Sequence, residues 1–214
     1  MRVALIFDLD GTLAETRHDI AASANAALTA VGLPAIPEDV VTTYVGEGAS
    51  KLIERCVGAR RDLHAAALAA WTEHYARNLL VTTRLYEGVA ETLDTLPGPL
   101  AVLSNKPEGM SRAILQGLGI LARFDAVLGG DSLPVKKPDP AGIRTILGTL
   151  KAERAVLIGD SLIDLETARA ADVPLWAAAY GFLGEETLVR AGAKTVFHAF
   201  REIVALRREL DRVS

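Results

Sequence analysis

A doubly wound α/β fold, a parallel sheet flanked by helices and carrying an inserted small α-helical domain, is what this 214-residue sequence predicts. Three observations carry that expectation. From Leu85 onward, short apolar β-leaning runs alternate with stretches at helical spacing, the rhythm of a parallel sheet with crossover helices. Residues 15–83, by contrast, are helical in character throughout. Finally, about 90 residues separate Asp10, at the end of the first strand, from Ser104, at the end of the next, whereas a βαβ unit needs only about 30.

The elements follow in order. Val3–Phe7 is an unbroken apolar run that reads as a buried strand. Ile20, Ala24, Ala27, Leu28 and Val31 then line one face of a helix, which Gly32 and Pro34 end. Residues 37–57 suggest two short helices around Gly46-Glu47-Gly48. Leu63, Ala67, Ala70, Trp71 and His74 mark a longer one. Val89, Leu93 and Leu96 form a helix stripe closed by Pro97-Gly98-Pro99, and Leu100–Leu103 is the next buried strand. Met110, Ile114, Leu115 and Leu118 return to helical spacing, before a strand near 124–128 and a helix around 140–150. Ala155–Ile158 is a strand; a helix, the strand 174–178, a short helix, the strand 195–197 and a terminal helix complete the pattern. The expected division is a core of residues 1–14 and 84–214 and a helical cap of 15–83, with hinges near 13–16 and 81–86.

Composition narrows the class. Half the residues are hydrophobic, enough for a sizeable core. No apolar stretch reaches the 18 residues of a membrane helix. The first residues run straight into a strand, without a basic segment or a cleavage site, which argues against export and for the cytoplasm. Cys56 is the only cysteine, so no intrachain disulfide forms. Net charge is −4, and the basic residues of Arg201–Arg212 are diluted by acids. That helix reads as a solvated face rather than a nucleic-acid patch. His18, His64, His74 and His198 lie far apart, without zinc-ligand spacing.

Chemistry concentrates at strand ends, where ligands of doubly wound sheets bind. Asp8 and Asp10, two apart, leave the first strand on one face, and they repel each other unless a cation or a shared proton intervenes. Gly11 permits a tight turn close to a ligand. Ser104 and Asn105, Lys136 and Lys137, and Asp160 and Asp164 lie at or near other strand ends. Singly, each has a plainer reading: Ser104 or Asp160 as a helix N-cap, Lys136-Lys137-Pro138 as a solvated loop. Together they converge. Asp8, Asp10, Asp160 and Asp164 supply hard oxygens suited to Mg²⁺. Ser104 and Asn105 can donate to phosphoryl oxygens, and Lys137 adds positive charge. Phosphoryl transfer is catalysed mostly by positioning and charge neutralisation. One aspartate attacking phosphorus gives an aspartyl-phosphate; the other handles the leaving group's and the water's protons.

Asp8-Leu-Asp10-Gly11-Thr12, Leu103-Ser104-Asn105-Lys106, Lys137-Pro138-Asp139-Pro140 and Gly159-Asp160-Ser161-x-x-Asp164 resemble, in order, the four motifs of the haloacid dehalogenase superfamily. The resemblance implies Asp8 as nucleophile, Asp10 as general acid/base and Ser104 and Lys137 as phosphate ligands. It also implies Asp160 as a Mg²⁺ ligand, with Asp164 behind it and the backbone carbonyl of Asp10 as a further ligand. Gly11, Thr12 and Asn105 complete the expected substrate-binding set. The insert matches the family's small helical cap. Asp19–Leu28, Val45-Gly-Glu-Gly-Ala49, Gly130-Asp131 and Tyr180-Gly181 resemble the phosphoglycolate phosphatase branch. Asp10 excludes true dehalogenases and phosphonatases, which lack it. A sugar phosphomutase of the same type stays open, although His18 stands out of register with the mutase histidine. A receiver domain that holds a phosphoryl group on aspartate as a signal fits part of the pattern. It places the acceptor on a later strand, however, and has no cap here.

The expected partner is a small-molecule phosphate ester, with no nucleic acid or membrane, and the protein is a monomer or homodimer. Phosphoglycolate leads the candidates; pyrophosphate, sugar phosphates and nucleoside monophosphates stay open. Thr43, Gly46, Glu47, Gly48 and Lys51, with Arg17 near the hinge, are candidate selectors in the cap, although Gly46 and Gly48 read equally as an interhelical turn.

Overall fold

The structure, a computed structural model, describes residues 2–213. By compactness the chain divides into two units, Met1–Glu15 with Leu85–Ser214 and Thr16–Arg84. The first is built on a six-stranded parallel sheet. In chain order its strands are β1 (Val3–Phe7), β4 (Leu100–Leu103), β5 (Ala126–Leu128), β6 (Arg154–Gly159), β7 (Leu175–Ala178) and β8 (Thr195–Phe197). Across the sheet they run β5-β4-β1-β6-β7-β8. β1 is therefore central, with Leu5 opposite Leu100 on one side and Val156 on the other. The chain builds outward through β4 to β5, then restarts beside β1 with β6. That reversal of strand order is where open α/β sheets place their ligands.

Period-two alternation explains why β1 is apolar throughout. Ala4 and Ile6 join a core with Ile143 and Ile146 of α7 (Ala141–Leu150) and with Leu165 and Ala168 of α8 (Leu162–Ala171). Phe7 faces the opposite layer. It stacks on Phe200 at 5.8 Å between ring centroids and meets Phe124 edge-on at 6.1 Å. Burying a side chain of this size contributes about 1.5–3 kcal/mol. Helices α5 (Val89–Thr95), α6 (Glu108–Gly117), α9 (Gly184–Arg190) and α10 (Ile203–Val213) complete this unit.

The other unit is helical: α1 (Arg17–Ala30), α2 (Glu38–Thr42), α3 (Ala49–Val57) and α4 (His64–Arg77). Ile20, Ala24, Ala27 and Leu28 of the α1 stripe are buried as their spacing predicts, Val31 lies just past the helix and is half-buried, and α4 contributes Trp71 stacked on Tyr75 at 4.8 Å. His74 Nδ1 lies 3.0 Å from Ser23 Oγ, so this half-buried histidine is a packed helix residue. Gly46 and Gly48 take positive φ between α2 and α3, as a tight turn requires. The buried Asp19 carboxylate receives the backbone N–H groups and hydroxyls of both Thr82 and Thr83, at 2.7–3.0 Å. It ties the first helix of the unit to its last residues.

Two features depart from the sequence reading, the hinge strands and Arg207, and two of the plainer single-residue readings fall away. The segments read as hinges contain β2 (Ala14–Glu15) and β3 (Arg84–Leu85), which pair as a two-stranded sheet; two residues are too few to show a period. Neither Ser104 nor Asp160 caps a helix: Pro107 precedes α6, and Ser161 caps α8 with Asp164 closing a capping box. Arg207 does not belong to a solvated face. It is buried, donating to the Val3 carbonyl at 3.1 Å and to Asp211 at 3.2 Å. Lys137 is likewise no solvated loop residue, being 3% exposed. No helix among the described residues is long and apolar enough to cross a membrane.

Candidate active site

Asp8 follows β1 directly and keeps its register, its N–H donating to the Ile158 carbonyl of β6 at 2.8 Å. The side chain lies at the carboxyl end of the sheet, 6% exposed. Oδ1 accepts the Leu9 N–H at 2.7 Å. Oδ2 lies 3.0 Å from Lys137 Nζ, which reaches Asp164 Oδ1 at 2.7 Å. Asp164 Oδ2 accepts the N–H and hydroxyl of Ser161 at 3.1 and 2.5 Å. Asp164 thus closes the capping box of α8 and anchors the lysine. Asp160, after β6, accepts from Thr12 Oγ1 at 2.9 Å and from Phe182 N at 2.7 Å.

These residues form the one cluster of carboxylates suited to a metal among those described: oxygens of Asp8, Asp160 and Asp164 all lie within 4.8 Å of one another. Such crowding has an electrostatic signature. Burial pushes the Asp8 carboxyl up to about 7; Lys137 opposes the rise, while Asp164 and Asp10 add to it. Burial, then Asp164 and Asp8, hold Asp160 well above the usual carboxylate range, against the hydrogen bonds from Phe182 and Thr12. Lys137 behaves oppositely: burial alone lowers an ammonium, but Asp164 and Asp8 outweigh it and raise this one. Three carboxylates against one ammonium leave an excess of negative charge. A hard divalent cation compensates that excess with the ligand type it prefers, so the donor set fits Mg²⁺.

The expected substrate contacts divide into two groups. Ser104 is buried at the end of β4, its hydroxyl oxygen accepting the Lys106 N–H at 3.2 Å. Asn105 donates its side-chain amide to the Lys137 carbonyl at 2.9 Å and so steadies the lysine. Gly11 and Thr12 commit their N–H groups to the loop itself, to the carbonyls of Ala14 and Leu9. The Thr12 hydroxyl is turned onto Asp160. In the helical unit, Thr43 donates to the Val40 carbonyl, Lys51 pairs with Glu54 at 2.8 Å and Glu47 pairs with Arg55. His18 pairs with Glu38 at 2.6 Å.

Sequence reasoning gave no role to Lys106 or to the segment after β7. Lys106 Nζ lies 2.7 Å from Asp10 Oδ1, a pair almost wholly buried. Position was the available signal, since Lys106 closes the same strand as Ser104. Phe182 acts through its backbone N–H, which side-chain identity cannot reveal.

Comparison with known proteins gives the arrangement its relatives. Residues 5–178 match the family described as haloacid dehalogenase-like hydrolase. The chain is 38% identical to the phosphoglycolate phosphatase of Rhodospirillum rubrum, over 95% of this chain and 90% of that protein. It is 38% identical to that of Neisseria meningitidis, over 87% and 83%. Its backbone superposes on the crystal structure of a predicted phosphoglycolate phosphatase from Haemophilus somnus with a TM-score of 0.89, at 32% identity, covering 95% and 97% of the two chains. With strand order, motif positions and these relatives in agreement, the chain belongs to the haloacid dehalogenase-like hydrolases and is a phosphoric monoester hydrolase among them.

Proposed function

We propose that the protein is a Mg²⁺-dependent phosphatase of small phosphorylated metabolites, working through an aspartyl-phosphate on Asp8, with phosphoglycolate as its leading substrate. The observation that carries this reading is Lys137 Nζ bridging Asp8 and Asp164 beside Asp160. The bridge fixes one Asp8 oxygen and supplies the positive charge that an incoming phosphoryl group needs. Phosphoglycolate enters as the substrate named for the relatives above.

Asp8, Asp160 and Asp164, with the Asp10 carbonyl, would hold Mg²⁺, which when bound neutralises phosphoryl charge. An Asp8 oxygen attacks phosphorus while the bond to the leaving oxygen breaks, and that oxygen takes a proton from the Asp10 carboxyl. Asp10, now a carboxylate, then accepts a proton from water. The water oxygen attacks phosphorus, freeing phosphate and the Asp8 carboxylate. Ser104 and Lys137 hold the phosphoryl oxygens through both steps. The helical unit acts as the cap; Thr43, Gly46, Gly48 and Lys51, with Arg17, are its proposed selectors. Glu47, committed to Arg55, drops out of that set.

The test is phosphate release from a panel containing phosphoglycolate, pyrophosphate, sugar phosphates and nucleoside monophosphates, with Mg²⁺ and with chelator. Asp8→Asn is expected to lower turnover by at least about 10³-fold. Unchanged turnover in that variant, or full activity in chelator, overturns the mechanism. A sugar-phosphate isomer in place of free phosphate reassigns the protein as a mutase.

A further inference from the structure

Asp160 is restrained from two sides. Each carboxylate oxygen carries a hydrogen bond from a different loop, Thr12 Oγ1 after β1 and Phe182 N after β7. The carboxylate also fills the space between two glycines: a Cβ on either Gly11 or Gly181 would overlap it. The two loops are themselves joined, because Tyr180 OH donates to the Thr12 carbonyl at 2.8 Å. Thr12 is fully buried and Asp160 is 1% exposed, so water does not compete for these bonds.

The Thr12 hydroxyl has one proton, and it goes to Asp160. What remains on that oxygen can only accept, and phosphoryl oxygens at neutral pH are acceptors too. The Thr12 N–H is committed to Leu9. Contact with substrate is therefore a poor use of this residue. Orientation of the carboxylate is a good one, since a carboxylate oxygen has two lone-pair directions and fixing one fixes the other.

We infer that Thr12 and the Tyr180-Gly181-Phe182 segment are positioning elements of the metal site, setting the orientation in which Asp160 offers its remaining lone pairs to a divalent cation. The inference rests on the Mg²⁺ reading above. It adds the loop after β7, outside the four motifs, and it moves Thr12 from the substrate to the metal.

The test is calorimetric titration of the full-length, chelator-stripped protein with MgCl₂ in the absence of substrate. Thr12→Val removes the hydroxyl and keeps the shape; it is expected to weaken Mg²⁺ binding about 10- to 100-fold, with Thr12→Ser restoring it to within roughly 3-fold of wild type. At saturating Mg²⁺, Thr12→Val should recover the wild-type KM for the phosphate ester. Wild-type Mg²⁺ affinity in Thr12→Val, or a raised KM at saturating Mg²⁺, overturns the inference. Tyr180→Phe keeps the ring, loses only the bond to the Thr12 carbonyl and should also weaken Mg²⁺. It carries the test if Thr12→Val does not fold, and unaltered affinity there overturns the segment's part. Asp160→Asn separates the two readings. If that variant binds Mg²⁺ as wild type does, the metal assignment itself fails; if it loses Mg²⁺ while Thr12→Val and Tyr180→Phe do not, only the positioning role fails.

Discussion

Single residues here are set by what surrounds them. A carboxyl held at about 7 stays protonated, and not nucleophilic, below that pH. At limiting Mg²⁺, activity should therefore fall as pH drops through about 7, and saturating Mg²⁺, competing with the proton, should move that limb to lower pH. Rate profiles at two Mg²⁺ concentrations check this; a limb that stays in place contradicts it. Asp19 behaves in the opposite sense. Burial alone would raise it, but the bonds from Thr82 and Thr83 outweigh burial and hold it below its usual 3.8. Its contribution to stability is thus complete above about pH 4 and disappears as pH falls through the depressed value. Asp19→Asn should cost about 2 kcal/mol near neutrality, and its stability should change less than wild type's on acidification. Urea midpoints at several pH values provide the measurement. Residue identity made the motif aspartates and Lys137 legible in the sequence. It could not show that Asn105 faces the Lys137 carbonyl, or that Thr12 faces Asp160, because those directions depend on loops far apart in the chain.

At the scale of elements, legibility followed length. The five-residue β1 and the fourteen-residue α1 carry a full period of apolar positions and stand where the sequence puts them. The two-residue β2 and β3 carry none. Arg207 departs from the solvated-face expectation because a buried arginine on a helix looks, in sequence, like any solvated one, and only the fold brings it to the Val3 carbonyl. The cap of α8 is Ser161, one position after Asp160, and the difference matters. The Ser161 hydroxyl holds both the helix N-terminus and Asp164. Ser161→Ala should lower stability by about 1 kcal/mol. It should also lower turnover at saturating Mg²⁺, because Asp164 anchors Lys137. An exposed cap elsewhere would affect stability alone, so comparing melting and kinetics of the same variant decides the point.

For the whole molecule, the crowding of Asp8, Asp160 and Asp164 should make stability depend on the proposed cation. Mg²⁺ at 100 times its dissociation constant should add about 2.7 kcal/mol, raising the melting temperature by roughly 5–10 °C, and chelator should reverse the shift. No shift would show that the carboxylates tolerate one another without a cation. The central position of β1 has a consequence for biosynthesis. Its two neighbours in the sheet, β4 and β6, lie about 95 and 150 residues further along the chain. At about 5–20 residues per second, roughly 5–20 s pass between the emergence of Val3–Phe7 from the ribosome and that of its first hydrogen-bonding partner. During that interval five consecutive apolar residues have no sheet to join, while the helical segment translated next can already close on itself through Asp19. The insert thus accounts for most of the interval in which β1 waits for its first partner.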